Sequence, residues 1–216
     1  MKHKVKILIL TNGDYGDYDF CREVKIYDSI ICADNGLRHA RKLNITPQYI
    51  LGDFDSCSKE ELLYYKEQGI PVVPYPSHKD ETDTELAIHK AVALGATHID
   101  IWGGLGSRFD HTLANVHLMY KAFNQGIKVR LLSGQNTVQL MDKKLQLEGK
   151  KGDLISLLPY TPIVKGVHTK NLMYPVEGGS FEMGKPYGVS NVFLGDWAEV
   201  SIEEGLLLVV QAKDEP

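Results

Sequence analysis

Residues 98–126 read HIDIWGGLGSRFDHTLANVHLMYKAFNQG and contain the pattern that decides the fold. The first five, His98 to Trp102, form a short run typical of a β-strand. A glycine-rich turn follows. From Asp110 to Gln125 apolar side chains recur at helical spacing, with Asp110 suited to the N-cap and Gly126 to the C-terminal stop. A strand, a glycine turn and a helix in this order predict one unit of an α/β fold.

The same alternation of strand and helix extends over roughly the first 130 residues. Helices are predicted to begin near Ser58 and near Thr82, because Ser58 with Glu61 and Thr82 with Glu85 have the spacing of capping boxes. The predicted strands are 5–10, 29–33, 49–51, 71–73, 98–102 and 129–132. We therefore expect an α/β domain with a mainly parallel sheet over residues 1–132.

The pattern changes after Ser133. Short β-rich runs at 137–140, 154–158 and 206–211 are separated by turns that contain Gly, Pro and Asn, and no helical period persists. These features predict a second, all-β domain over residues 136–216, either a small sandwich or a barrel.

The composition is that of an ordinary globular protein. The chain has 216 residues, of which 43% are apolar and 24% charged, and its formal net charge of -4 argues against a general nucleic-acid binder. Its three cysteines match no metal-binding spacing, which fits a reducing compartment. No apolar run is long enough to span a bilayer. We expect a cytoplasmic protein with no membrane or nucleic-acid partner.

Acidic loops follow the predicted strands at the edge where open parallel sheets bind ligands. They read ADNG at 33–36, GDFDS at 52–56 and KDETD at 79–83. Asp53 and Asp55 can direct two carboxylates to one point, and Asp83 adds a third, which favours Mg²⁺ because it prefers oxygen ligands. The alternatives are a solvated acidic turn at 53–55 and, for Asp83, an acid that stabilises a helix start.

The glycine-rich loop at 103–111 has the features of a phosphate-binding turn. Its glycines let backbone N–H groups approach a ligand, a helix follows, and Arg108 can add charge-assisted hydrogen bonds. The chain lacks the P-loop pattern, and the loop does not satisfy GxGxxG. His111 is either a phosphate contact or an ordinary residue of the helix start.

Together, in this order and spacing, these loops resemble the signature of thiamine pyrophosphokinases. The match includes GDFDS, Thr82-Asp83 and RFDH followed by Asn115, and it continues in the β-domain at 155–159, 166–174 and 190–191. The resemblance implies an α/β nucleotide-binding domain, a C-terminal β-sandwich, and a homodimer with active sites at the subunit interface. It also implies transfer of pyrophosphate from ATP to the thiamine hydroxyl, giving thiamine diphosphate and AMP.

The resemblance also implies roles for individual residues. Asp53, Asp55 and Asp83 would hold Mg²⁺ and the ATP phosphates, Arg108 would stabilise the transferring group, and Asp110 would lie near the thiamine hydroxyl. Further ATP or phosphate contacts are expected from Asp34, Asn35, Lys79, Thr82, Gly104, Ser107 and His111. Thiamine contacts are expected from Tyr174, Ser190 and Asn191, although Tyr174 by itself also fits an ordinary core or edge tyrosine.

Three other functions fit the acidic loops. One is a different magnesium-dependent phosphohydrolase, and another is a nucleotide-sugar transferase that uses its Asp-x-Asp motif. The third is a non-catalytic sensor of a nucleotide or of thiamine diphosphate.

Overall fold

A computed structural model of the chain describes residues 4–22 and 24–213, and these divide after Gly134 into two compact units. The outer ends of the two predicted domains, residues 1–3 and 214–216, lie outside the described residues. No helix in the described ranges combines the length and apolar character needed to cross a membrane.

The first unit is a six-stranded parallel sheet with four α-helices. Its strands are β1 (Lys6–Leu10), β2 (Ser29–Ala33), β3 (Tyr49–Gly52), β4 (Val72–Pro74), β5 (His98–Trp102) and β6 (Lys128–Leu132). Its helices are α1 (Leu37–Lys42), α2 (Lys59–Glu67), α3 (Asp83–Ala93) and α4 (Phe109–Phe123). The strand order is β6-β5-β1-β2-β3-β4, and every adjacent pair is parallel.

The central strands are continuous apolar runs because they are buried on both faces. Ile7 to Leu10 of β1 are fully buried, and helix α3 packs against β1, β2 and β3. A parallel sheet needs cover on both faces, which explains why these strands do not alternate polar and apolar residues.

The predicted caps of two helices are confirmed. The Ser58 hydroxyl accepts the Glu61 N–H at the start of α2 (3.1 Å), and the Thr82 hydroxyl accepts the Glu85 N–H at the start of α3 (3.2 Å). These bonds satisfy backbone donors that the first helical turn leaves free.

The predicted N-cap of α4 is wrong. The N-cap residue is Arg108, and Asp110 is the second residue of the helix. The carboxylate of Asp110 accepts two hydrogen bonds from the Arg108 guanidinium (2.9 and 2.6 Å). An acid in this first turn is still favoured by the helix dipole.

The second unit is made of two antiparallel sheets that enclose an apolar core. One sheet has the order β12-β9-β14-β7 and the other β11-β10-β13-β8. The strands are β7 (Asn136–Met141), β8 (Lys144–Glu148), β9 (Leu154–Pro159), β10 (Ile163–Lys170), β11 (Glu177–Glu182), β12 (Asn191–Val192), β13 (Trp197–Ser201) and β14 (Leu207–Ala212). Buried side chains from both sheets, such as Leu157, Val164 and Val200, form its core. The expected fold class, an α/β domain followed by a β-sandwich, is confirmed.

Candidate active site

A cleft of about 990 Å³ opens at the carboxyl ends of the parallel strands of the first unit. The loops that follow β1, β2, β3, β4 and β5 all contribute to its lining. This is the edge at which open α/β sheets bind ligands. Nine predicted site residues line it: Asp34, Asp53, Lys79, Thr82, Asp83, Gly104, Ser107, Arg108 and His111.

Three carboxylates converge in this cleft. Asp34, Asp53 and Asp83, here called the acidic cluster, each place one carboxylate oxygen within 4.8 Å of the others, and all three are half-buried. Asp34 follows β2, Asp53 follows β3, and Asp83 is the first residue of α3. Gly52 permits this convergence, because its φ is +150° and a Cβ there would lie 3.0 Å from the Asp34 Cα.

Lys79 partly neutralises the acidic cluster. Its Nζ lies 3.0 Å from Asp83 Oδ1 and 3.8 Å from Asp53 Oδ2, and only 11% of its side chain is exposed. Three carboxylates and one ammonium group leave a local excess of negative charge. A divalent cation would balance this excess.

The oxygen atoms present fit such a cation. Asp83 Oδ1 is buried and, among the described residues, accepts no well-directed hydrogen bond despite the nearby ammonium group. Burial raises the pKa of Asp83, Lys79 opposes the rise, and the charges of Asp34 and Asp53 add to it. Carboxylate oxygens are the ligands that Mg²⁺ prefers, and a bound cation would relieve both the burial and the repulsion.

The structure differs from the expected ligand set at one position. Asp55 is exposed, and its Oδ2 accepts a hydrogen bond from the Ser77 hydroxyl (2.9 Å). The Asp55 N–H donates to Asp53 Oδ1 (3.1 Å), so the Asp-x-Asp turn closes on itself. Asp34 therefore takes the place in the acidic cluster that the sequence assigned to Asp55, whose role as a metal ligand stays a prediction.

The glycine-rich loop is held in a fixed shape beside the acidic cluster. Gly103 has φ +75°, and a Cβ there would lie 2.5 Å from the ring of Tyr15. The buried Asn115 side chain donates to the Gly104 carbonyl (2.8 Å), and the Gly106 N–H donates to the Thr112 hydroxyl (3.1 Å). Two side chains of α4 thus tie the loop to the helix that follows it and fix the shape of its backbone.

Arg108 and Asp110 form an exposed bidentate ion pair at the start of α4. The Arg108 hydrogen bond is the main cause that lowers the pKa of Asp110, and the same bond raises the pKa of Arg108. Arg108 lines the cleft, whereas Asp110 is not among the described residues that do so. Asp110 is consequently a weak base while this pair is intact.

Two family models match the chain, one over each unit. Residues 20–131 match the catalytic domain of thiamin pyrophosphokinase, and residues 140–207 match its vitamin B1 binding domain.

The chain belongs to the thiamine pyrophosphokinase family.

Relatives of known sequence and structure agree with this assignment. The thiamine pyrophosphokinase of Bacillus subtilis (strain 168) is 27% identical over 187 residues, covering 85% of this chain and 87% of the relative. The crystal structure of thiamine pyrophosphokinase from Bacillus subtilis matches with a TM-score of 0.88 at 25% identity, over 97% of this chain and 100% of that one. A thiamin pyrophosphokinase family protein from Enterococcus faecalis gives 0.84 at 28% identity, over 98% and 100%. The expected family and enzyme class, a transferase of the thiamine pyrophosphokinase type, are confirmed.

The residues expected to bind thiamine lie in the second unit, in the region of the vitamin B1 binding model. The ring of Tyr174 is exposed. The buried Asn191 accepts the Tyr174 N–H (3.0 Å) and donates to the Tyr174 carbonyl (2.7 Å), so it orients this tyrosine through its backbone. Ser190 has φ +58°, and its N–H donates to the Ser156 hydroxyl (3.1 Å).

One wall of the cleft is formed by residues that were not among the predicted site residues. The loop after β1, from Thr11 to Gly16, lines it, as do Arg38 and Lys42 of α1. Ligands bind beyond the carboxyl ends of parallel strands, and this rule also applies to β1. The loop residues Asn12-Gly13-Asp14 therefore could have been predicted to line the cleft. By contrast, Asn35 is not among the described residues that line the cleft; it lies in the short 3₁₀ turn Asp34–Gly36.

Proposed function

We propose that this member of the thiamine pyrophosphokinase family transfers the pyrophosphate group of ATP to the hydroxyl of thiamine, giving thiamine diphosphate and AMP. The observation that carries the proposal is the convergence of Asp34, Asp53 and Asp83 in a cleft that also receives the glycine-rich loop. Carboxylates for a cation and backbone donors for an anion are the two requirements for holding a metal-bound triphosphate.

In this proposal Asp34, Asp53 and Asp83 hold Mg²⁺, with Asp55 as the further ligand that the Asp-x-Asp motif suggests. Bound Mg²⁺ supplies positive charge that offsets the charge of the phosphates and of the transferring group. Lys79 and Thr82, which line the same cleft, would contact phosphate oxygens in this proposal.

The reaction forms a bond between the thiamine hydroxyl oxygen and the β-phosphorus of ATP. The bond from that phosphorus to the bridging oxygen of the α-phosphate breaks, and AMP leaves with the electron pair. The hydroxyl proton passes to a carboxylate or to water. Arg108 stabilises the transferring group through charge-assisted hydrogen bonds. Asp110 is a weaker proton acceptor while it is paired with Arg108, because this hydrogen-bonded pair lowers the pKa of the carboxyl.

We infer that the second unit provides the thiamine contacts, with the exposed ring of Tyr174 against the cationic thiazolium and Ser190 beside it. Asn191 contributes by holding the Tyr174 backbone. We further propose a homodimer, which light scattering on the purified protein would test, and a cytoplasmic location, where ATP is available.

The test is incubation of the protein with ATP, Mg²⁺ and thiamine, followed by chromatography of the products. We expect AMP and thiamine diphosphate in equal amounts. Asp53→Asn should remove this turnover, whereas Glu60→Gln, on an exposed part of α2 outside the cleft, should retain it. Phosphate release without thiamine, sugar-nucleotide turnover, or tight binding without turnover would each replace the proposal with a phosphohydrolase, a sugar transferase or a sensor.

A further inference from the structure

Arg38 and Lys42 lie one turn apart on α1, and both line the cleft. Two other cations of the cleft are already paired with carboxylates: Lys79 with Asp53 and Asp83, and Arg108 with Asp110. Within the described ranges neither Arg38 nor Lys42 has a carboxylate partner. These two side chains therefore carry positive charge that an anionic ligand could use.

Neutral acceptors hold the Arg38 guanidinium in place. Its Nε donates to His39 Nε2 (3.2 Å), and one terminal nitrogen donates to the Asn12 carbonyl (3.4 Å). A guanidinium has five N–H donors, so three remain for a ligand. A fork of this kind suits phosphate oxygens better than a single ammonium group does.

His39 lies beside Arg38, buried in the wall of the cleft, which Tyr18 also lines. The His39 ring stacks on Tyr15 with centroids 3.7 Å apart. Tyr15 in turn donates to the Trp102 carbonyl at the end of β5 (3.0 Å). The imidazole thus extends from α1 and packs against the loop after β1, which fixes its orientation.

The hydrogen bonds of His39 determine its tautomer. Because Arg38 Nε can only donate, His39 Nε2 must be the unprotonated nitrogen, and Nδ1 carries the proton. Nδ1 then donates to the Tyr18 hydroxyl, 2.7 Å away. Burial, with the charges of Arg38 and Lys42, lowers the pKa of His39 to about 4, although a hydrogen bond with the Gly13 backbone and the charge of Asp14 oppose the shift, so the ring is neutral near pH 7.

We propose that Arg38, positioned by the buried His39, is a phosphate-binding residue of the cleft. This proposal rests on the proposed function, since its ligand is a phosphate of the nucleotide. Arg38 contacts the ligand, and His39 acts through Arg38 as a positioning residue. Tyr18 keeps His39 in the tautomer that accepts the Arg38 hydrogen bond.

The first test measures nucleotide binding by calorimetry with Mg²⁺ present. Arg38→Ala should weaken ATP binding by about 10- to 100-fold, the range for a lost charge-assisted contact. Arg41→Ala is the matched control, because Arg41 lies on the same helix, over the Tyr64 ring and outside the cleft lining. It should change the affinity by less than about 2-fold. Equal ATP affinity in Arg38→Ala and the wild type would overturn the proposal.

Two further ligands locate the contact. A parallel loss of AMP affinity in Arg38→Ala would place Arg38 on the phosphate that leaves with AMP. Loss for ATP and inorganic tripolyphosphate, with AMP unchanged, would place it on the outer phosphates. Either result supports the proposal, and unchanged binding of all three ligands contradicts it.

The positioning role of His39 needs a readout that a purely structural role would not move. His39→Leu should raise the KM for ATP by about 10-fold with a smaller change in kcat, and His39→Gln, which restores an acceptor, should recover most of it. Tyr18→Phe, the milder change, should raise this KM several-fold while the melting temperature stays close to that of the wild type. A lowered melting temperature with an unchanged KM in these variants would contradict the positioning role and show that His39 only stabilises the fold.

The two proposals fail separately. If the wild type makes thiamine diphosphate but Arg38→Ala binds ATP normally, only the Arg38 proposal fails. If the wild type binds ATP through Arg38 without making thiamine diphosphate, the proposed function fails instead.

Discussion

Asp34→Asn is expected to weaken divalent cation binding as strongly as Asp53→Asn, and more strongly than Asp55→Asn. The Asp-x-Asp motif contains Asp53 and Asp55, so the motif alone predicts a different ranking. In the structure Asp34 belongs to the acidic cluster, and Asp55 is exposed and bonded to Ser77. The asparagine keeps the shape of Asp34 and one acceptor oxygen while it removes the charge.

The expected size follows from charge and exposure. Two unit charges about 4 Å apart interact by about 4 kcal/mol at an effective dielectric constant near 20. The side chains of Asp53 and Asp83 are 21% and 25% exposed, so solvent screens part of this interaction. We therefore expect a loss of about 2 kcal/mol, which corresponds to a roughly 30-fold higher Kd.

Titration of Mn²⁺ followed by electron paramagnetic resonance measures this Kd directly, without substrates. Ser77→Ala is a suitable control for Asp55→Asn, because it removes the hydrogen bond that Asp55 accepts without changing a charge. Thermal melting establishes that each variant is folded. A change of less than about 3-fold for Asp34→Asn, or a larger effect for Asp55→Asn, would refute the assignment of Asp34 as a cation ligand.

Three other predictions concern stability. Gly103→Ala should destabilise the protein by about 2 kcal/mol in urea unfolding, because the residue has φ +75° and its Cβ would meet the Tyr15 ring; an unchanged midpoint would contradict this geometry. Asp100→Asn should cost about 2 kcal/mol in the same assay, since the buried Asp100 accepts two hydrogen bonds from Arg130 (2.7 and 2.6 Å). Burial lowers the pKa of His39 to about 4, below about 6.5 in the unfolded chain, so the unfolded state gains the proton first and stability should fall as the pH drops from 6.5 to 4. His39→Gln should flatten this pH profile, and an equally steep decline in the variant would assign the effect to other groups.

The order of strands and helices in the first unit was predictable because it depends on short-range patterns. The six predicted strands coincide with β1 to β6 within about two residues at each end. The caps at Ser58 and Thr82 were predictable for the same reason, since each involves a backbone N–H three residues away. The N-cap of α4 was mispredicted because the helix begins at Phe109, earlier than the spacing of its apolar residues indicated, so Asp110 is its second residue.

By itself, the sequence determined the fold class, the family and the edge of the sheet at which acidic and glycine-rich loops meet. Only the tertiary structure decided which carboxylates converge. The convergence depends on how closely β2 and β3 bring Asp34 to Asp53 at Gly52. It also depends on the direction in which its turn points the Asp55 side chain. The same holds for Arg38 and His39, whose partners come from the loop after β1. Local patterns record interactions between residues near in sequence, whereas a binding site is formed by side chains that only strand pairing and loop packing bring together.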